Sequence, residues 1–283
     1  MNRVGIICKR GKKEALELLL KLVPWLRERQ IEVCVDSYSA RETGLKGVPQ
    51  EDMPKHCDMV VVLGGDGTML AASRLVAESN LPIFGINLGG LGFITEVSIG
   101  EVFNVIEKVI TGKCAVEDRI MLNATVIRDS KTLAQYTVLN DVVITKGALA
   151  RIFDLEMFID GMYVTTFRAD GLIVSTPTGS TAYSLSAGGP ILYPTLHCFV
   201  ITPICSHTLT NRPIVINDDM SIEIIARSGS EDVYLTLDGQ LGHHLMENDV
   251  VSVKRSVNMA RLMIPCERDY FQILREKLKW GER

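Results

Sequence analysis

Apolar and polar positions change rhythm once along this chain, and the change divides it. From Arg3 to Ile110 short apolar runs alternate with stretches of helical period. Residues 3–8 form a buried-strand pattern, followed by the basic cluster Lys9-Arg10-Gly11-Lys12-Lys13. Leu16, Leu19, Leu20 and Val23 then recur at helical spacing within residues 14–29. Residues 31–35 predict a second strand, and the polar, turn-rich residues 37–54 a flexible loop. The apolar run 59–63 leads through glycines into an Ala- and Leu-rich helical segment, 69–78. A strand over 81–86 and a helix over 101–110 complete this half. Strands alternating with helices predict a parallel α/β sheet.

Beyond residues 116–119 short alternating runs take over. Strands are expected over 123–127, 137–144, 154–159, 162–168 and 171–176, then 198–203, 214–216, 221–226, 234–237 and 250–254. Asp160-Gly161 marks a tight hairpin turn between two of them. In residues 269–280, Phe271, Leu274 and Leu278 share one helical face. The expected fold is α/β plus β. A Rossmann-like parallel α/β domain spans 1–118 with the C-terminal segment 256–283, whose helix packs back on it. A β-rich domain spans 119–255.

Composition narrows the function classes. The 283 residues suffice for two ordinary domains, and 47% are apolar. A net charge of −4 supplies no global basic field for nucleic acid or an anionic membrane. No apolar run approaches the roughly 18–20 residues of a membrane helix, and the apolar core after Met1 is too short for a signal peptide. The seven cysteines, Cys266 included, are odd in number and lack C-x-x-C spacing, so reduced thiols and a cytoplasmic location are expected. His243 and His244 are adjacent, and on a strand they point to opposite faces, so no protein metal site is expected.

Chemistry concentrates in a few stretches. Leu63-Gly64-Gly65-Asp66-Gly67-Thr68 lies between a predicted strand and a predicted helix. Glycines let backbone N–H groups approach a ligand, and the helix N-terminus favours anions. Asp66 repels a bare phosphate, so it either holds a metal ion bridging phosphates or takes a proton from an attacking hydroxyl. Both point to phosphoryl transfer. A second glycine turn, Asn87-Leu88-Gly89-Gly90-Leu91-Gly92-Phe93, follows the next predicted strand. In parallel sheets ligands bind beyond the carboxyl ends of strands, so both turns are expected at one cleft. Neither completes G-x-G-x-x-G, because Leu70 and Thr95 stand at the third glycine positions. Gly5, Gly11 and Lys12 miss P-loop spacing by one residue, and Lys13 stands where Ser or Thr belongs. The basic cluster is either a solvated face or a source of phosphate contacts through Arg10 or Lys12.

Three further segments stand out. Asn140-Asp141 either forms a turn with side-chain-to-backbone bonds or holds two ribose hydroxyls. Residues 170–190 crowd small hydroxyls and glycines after a strand. Ser180-Thr181-Ala182-Tyr183 is expected to open a helix able to bind a diphosphate, and Tyr183 either stacks on a base or fills core. Gly-x-Ser-x-Gly is absent, which argues against a serine nucleophile. Asp238-Gly239-Gln240 has the signature of a hairpin turn.

Taken in order and at these separations, Gly64-Gly65-Asp66-Gly67-Thr68, Asn140-Asp141, Asp170 to Pro190 and Asp238-Gly239-Gln240 resemble the NAD kinase family across nearly the whole chain. The glycine turn alone is shared with diacylglycerol, sphingosine and, more distantly, phosphofructokinases. Thr176-Pro177-Thr178-Gly179-Ser180-Thr181-Ala182-Tyr183 is the discriminating part. The resemblance implies phosphorylation of the adenosine-ribose 2′-hydroxyl of NAD, with ATP and a divalent ion (Mg²⁺ or Mn²⁺), or polyphosphate in some members. It makes Asp66 the general base with Gly67 close to substrate, and Gly64, Gly65 and Thr68 the phosphate loop, helped by Arg10. Asn140 and Asp141 bind ribose hydroxyls. Phe93, Thr178, Thr181, Tyr183 and Ser186 line the adenosine pocket, with Ala182 and Gln240 among the substrate contacts and Asp170 near the nicotinamide side. It also implies a homotetramer or homodimer joined through the β domains, with no nucleic-acid or membrane partner. Asp141 departs from the Glu of many members, leaving its carboxylate one methylene shorter. Two other readings compete: a lipid kinase sharing the glycine loop, and a non-catalytic nucleotide-binding regulator.

Overall fold

A computed structural model describes residues 2–95, 97–147, 153–205, 210–227, 232–265 and 269–280, so Cys266 lies outside the described residues. The chain divides into two compact units, Met1–Asp118 with Ala260–Arg283, and Arg119–Met259.

The first unit opens with β1 (Arg3–Cys8), α1 (Lys13–Glu28), β2 (Glu32–Asp36), α2 (Ser37–Thr43) and β3 (Gly47–Val48). It continues with β4 (Met59–Gly64), α3 (Asp66–Val76), β5 (Pro82–Asn87), β6 (Val97–Ser98) and α4 (Val102–Ile110). β1 is the centre of a parallel array, pairing with β2 on one side and β4 on the other, and β4 pairs with β5. β4 and β5 are buried along their whole length, as a parallel sheet covered on both faces requires. α1 covers it with Ala15, Leu18, Leu19, Leu22, Val23 and Leu26. Leu20, expected on that face, is half exposed, because the buried stripe follows Leu18 and Leu22 instead.

The expected loop over 37–54 is largely ordered structure. Asp36 caps α2 by accepting from Tyr38 N at 3.0 Å and Ser39 N at 3.1 Å, and Gly44 closes it in the left-handed conformation at φ 72°. A 3₁₀ turn over Gln50–Lys55 follows β3. The polarity that suggested a loop is that of residues capping and facing outward from a short helix.

The second unit takes its strands from β7 (Ala115–Arg128), β8 (Lys131–Val138), β9 (Asp141–Lys146), β10 (Phe153–Ile159), β11 (Met162–Ala169) and β12 (Gly171–Ser175). After α5 (Tyr183–Ser186) come β13 (Cys198–Ile204), β14 (Ile214–Asn217), β15 (Ile222–Arg227), β16 (Val233–Leu237), β17 (Leu241–Leu245) and β18 (Val250–Ile264). One antiparallel sheet runs β14-β13-β12-β9-β16-β17. Against it, β11, β10, β15 and the start of β18 pair antiparallel. Leu122, Val142, Leu155, Leu172, Phe199, Ile224, Leu235 and Val251 meet in one core from these strands. β10 and β15 alternate buried with less buried positions, the signature of a sheet with one face in a core, whereas β12 is buried along its whole length. Asp160 and Gly161, at φ 49° and 75°, make the expected tight turn between β10 and β11.

The predicted strand over 137–144 is two strands, β8 and β9, broken at Leu139-Asn140 where the carboxylate of Asp238 takes the backbone N–H groups. β17 was not expected because Gly242, His243 and His244 hide its alternation. β18 continues far past residue 254, and its residues Arg261 and Leu262 pair with Pro82 and Ile83 of β5 inside the first unit. The closing helix, α6 (Tyr270–Leu278), also belongs to the first unit. It buries Ile273 and Leu274, whereas Phe271 is 56% exposed, so its apolar face is turned from the one expected.

Candidate active site

β4 ends in Gly64, and α3 starts at Asp66 with Gly65 as its N-cap. Gly64 has no alternative residue here, since a Cβ would sit 2.4 Å from Thr68 Oγ1. Thr68 thus packs back over the turn. A cavity of about 230 Å³ opens beside it, lined by Gly64, Gly65, Asp66 and the glycines of the 87–92 turn. Both glycine turns meet at this cavity, as their places after β4 and β5 predict. The amino end of α3 at its rim carries partial positive charge, and Lys9, Lys12 and Lys277 add three cations. Arg10 does not line the cavity; its guanidinium lies 5.4 Å from the centroid of the Tyr38 ring. Neighbours at a strand end point in different directions, so Lys9 takes the place expected of Arg10. Lys277 comes from α6 and sits 5.4 Å from the Phe93 ring centroid, a contribution no local motif announces.

Asp66 is the centre of the second turn. Its Oδ1 accepts from Ile94 N (3.2 Å), Thr95 N (3.1 Å) and Thr95 Oγ1 (2.8 Å), while Oδ2 accepts from Phe93 N (2.9 Å). Thr95 Oγ1 in turn accepts from Asn87 Nδ2 at 2.8 Å, and Asn87 Nδ2 also donates to Gly90 O at 2.8 Å. A Cβ on Gly92 would lie 2.1 Å from Asp66 Oδ1, so only glycine fits there. Asn87 and Thr95 escaped sequence reasoning because Asn87 bonds within its own turn and Thr95 reaches across to Asp66 of the other, partners that residue type does not announce. Among the described residues no three His, Cys, Asp or Glu side chains gather as a metal site.

The second unit holds a pocket of about 390 Å³, lined by Asn140, Asp141, Ala182, Tyr183, Thr236 and Asp238 among others. The hydroxyl-rich segment after β12 is stitched to its edge. Thr176 Oγ1 donates to Leu139 O (2.6 Å) and accepts from Gly179 N (3.0 Å), and Ser175 Oγ donates to Asn140 O (3.1 Å). A Cβ on Gly179 would lie 2.1 Å from Asn140 O, which excludes every other residue. Asn140 Oδ1 and Thr178 Oγ1 are buried with no hydrogen-bond partner. A buried polar atom left unpaired is costly, and two at the residues singled out for a ribose and an adenosine mark a place for ligand hydrogen bonds. Burial, with the charge of Asp238 second, pushes the Asp141 carboxyl up to about 7, against the opposing hydrogen bond from the Tyr183 backbone.

The remaining expected contacts are placed less centrally. Thr181 Oγ1 bonds back to Thr178 O at 3.3 Å, Ser186 and Gln240 are exposed, and Asp170 pairs with Lys146 at 3.1 Å. Gly67 is exposed at the first turn of α3. The helix expected to open at Ser180 is instead a 3₁₀ turn, Gly179–Thr181, and the four-residue α5, separated at Ala182 where ψ is −127°. So short a helix has little dipole to offer a diphosphate.

A glycine turn at a helix N-terminus with three lysines in an α/β unit and a pocket lined by Asn140, whose buried Oδ1 is unpaired, in a β unit define a nucleotide-dependent phosphotransferase. The family model for the ATP-NAD kinase N-terminal domain matches residues 4–114, and that for the ATP-NAD kinase C-terminal domain matches residues 139–264. The chain is 48% identical to the NAD kinase of Geobacter sulfurreducens and 49% identical to that of Geobacter metallireducens, with 100% of each chain covered. Yeast NADH kinase complexed with NADH superposes with a TM-score of 0.93 at 28% identity, covering 100% of this chain and 89% of that one. An NAD kinase from Archaeoglobus fulgidus in complex with ATP gives 0.80 at 25% identity, covering 98% of each. The chain belongs to the ATP-NAD kinase family.

Proposed function

We propose that this NAD kinase transfers the terminal phosphoryl group of ATP to the 2′-hydroxyl of the adenosine ribose of NAD, with Asp66 as general base. The observation that carries the substrate side is the β-unit pocket, lined by Asn140 with its buried and unpartnered Oδ1; Thr178 Oγ1, in the hydroxyl-rich segment after β12, is also buried and unpartnered. Relatives whose structures hold NADH and ATP support the pair of ligands. Asn140 and Asp141 take ribose hydroxyls, and Ala182 and Tyr183 face the adenosine with Thr178, Thr181 and Ser186. Gln240 and Asp170 serve the outer parts of the dinucleotide.

The donor's phosphates sit over Gly64 and Gly65 with Lys9, Lys12 and Lys277 neutralising charge. Thr68 shapes the loop beneath them. A divalent ion (Mg²⁺ or Mn²⁺) enters with the triphosphate and belongs to the substrate. Asp66 Oδ1 is engaged by three donors and Oδ2 by one, so Oδ2 is the oxygen that receives the hydroxyl proton. General-base action contributes roughly 10²–10⁴-fold, and positioning with charge neutralisation carries more of the barrier. The protein works in the cytoplasm as a homodimer or homotetramer. The edge strand β11 supports self-association, because Met162 and Tyr163 on it are 68% and 60% exposed. No helix among the described residues is long and apolar enough to cross a membrane.

Radiolabel transfer from γ-labelled ATP, offering NAD and diacylglycerol together, tests this reading. Label in NADP is expected. Label in lipid supports a lipid kinase, and NAD binding with no transfer supports a regulator; either overturns the proposal.

A further inference from the structure

We infer that Asp238 is a positioning residue for the dinucleotide, whose carboxylate fixes the backbone of residues 139–141 so that Asn140 and Asp141 reach the β-unit pocket. The inference rests on the proposed NAD kinase reaction and adds a residue to it. Asp238 Oδ1 accepts from Asn140 N at 2.7 Å and Asp141 N at 3.3 Å, and Oδ2 accepts from Leu139 N at 3.2 Å. The bond returns through the main chain, since Asp238 N donates to Asp141 O at 3.0 Å. One buried carboxylate thus gathers three consecutive N–H groups from a segment 97 to 99 residues away.

The turn that carries Asp238 does not itself require a carboxylate. Asp238 and Gly239 stand at φ 51° and 63°, and Gln240 N bonds Leu237 O at 3.0 Å, the geometry of a type I′ turn. Asn-Gly makes that turn at least as well. The charge is costly where it stands, for Asp141 is a second buried carboxylate beside it. A site that tolerates two such groups gains from the first something besides folding. What it gains is visible in the chain path. The side-chain pattern of residues 137–144 predicts one uninterrupted strand, and the strand is broken where Asp238 takes its N–H groups. Thr176 and Gly179 hold the opposite side of the same segment. Asn140, which lines the pocket, keeps its buried Oδ1 without a hydrogen-bond partner within this double clamp.

The full chain with Asp238→Ala and Asp238→Asn tests this through separate KM values for NAD and ATP. Asp238→Ala removes three charge-assisted bonds and is expected to raise KM for NAD on the order of tenfold to a hundredfold. KM for ATP should stay within about twofold, because the donor cavity contains none of these residues. Asp238→Asn keeps one acceptor oxygen and is expected to recover most of the loss. It also removes the charge facing Asp141. The titratable groups lining this pocket are Asp141, Tyr183 and Asp238, and the strand residues Val143, Thr145 and Thr236 add none. Without its negative neighbour Asp141 stays ionised to lower pH, so the acid-side fall in kcat/KM for NAD should move to lower pH in Asp238→Asn. Unchanged KM for NAD in both variants overturns the inference. So does a parallel rise for NAD and ATP with no movement of the pH profile, which marks a structural role alone. A wild-type chain that makes no NADP overturns the function and this inference together, whereas an active wild type with indifferent variants overturns only the inference.

Discussion

Asp66 receives four hydrogen bonds from its own fold. Asp66→Asn is therefore expected to retain NAD binding and lose roughly 10²–10⁴-fold in turnover. It also turns an amide N–H₂ toward N–H donors, so a lowered melting temperature should accompany the loss. Turnover equal to wild type would remove Asp66 from the base role. Gly92→Ala drives a Cβ to 2.1 Å from Oδ1, and it should impair turnover with no change in NAD affinity, measured by binding and initial rates side by side. Asp141 predicts a pH effect. Its carboxyl sits at about 7 in the fold, against about 3.9 in an unfolded chain. Between those values the folded state holds a proton that the unfolded state has released, so this group's contribution to stability falls as pH rises through that window. Asp141→Asn abolishes the fall. Thermal melts should show the variant gaining on wild type from pH 5 to pH 8 while NAD affinity drops, and a constant difference would contradict the burial of a charged Asp141.

At the scale of elements, the parts most legible in the sequence are those whose period is set by burial. β1, β4, β5, β10 and α4 lie within a residue or two of their apolar patterns, because each buries its apolar side chains against a large core. α2 was illegible for the opposite reason. Its helix is held by a cap, so the signal is Asp36 before it and Gly44 after it, not a stripe of leucines. Asp36→Ala should cost about 0.5–2 kcal/mol for the cap, read as a lower denaturation midpoint. A greater loss is expected if the bond from Cys8 N to Asp36 counts as well. The break between β8 and β9 was illegible because its cause, Asp238, lies far along the chain. In the site, the glycine turns and Asn140-Asp141 announce themselves by residue type. Lys277, Asn87, Thr95 and Asp238 do not, since a lysine in a terminal helix or an aspartate in a hairpin has an ordinary explanation until the contacts are seen.

For the whole molecule, the two units divide the chemistry: one presents the glycine turns and three lysines, the other the pocket lined by Asn140 with its unpaired Oδ1. The exposed apolar side chains of β11 predict self-association, so light scattering should give the mass of a dimer or tetramer, and Met162→Glu with Tyr163→Glu should shift it toward monomer. A monomer in the wild type would contradict that part of the account. The central claim is the transfer itself. Incubating the purified chain with NAD, ATP and Mg²⁺, and detecting the product with a dehydrogenase that accepts only the 2′-phosphorylated dinucleotide, measures it directly. The account predicts NADP accumulating in step with ADP and abolished by Asp66→Asn; ADP released with no NADP formed would contradict it.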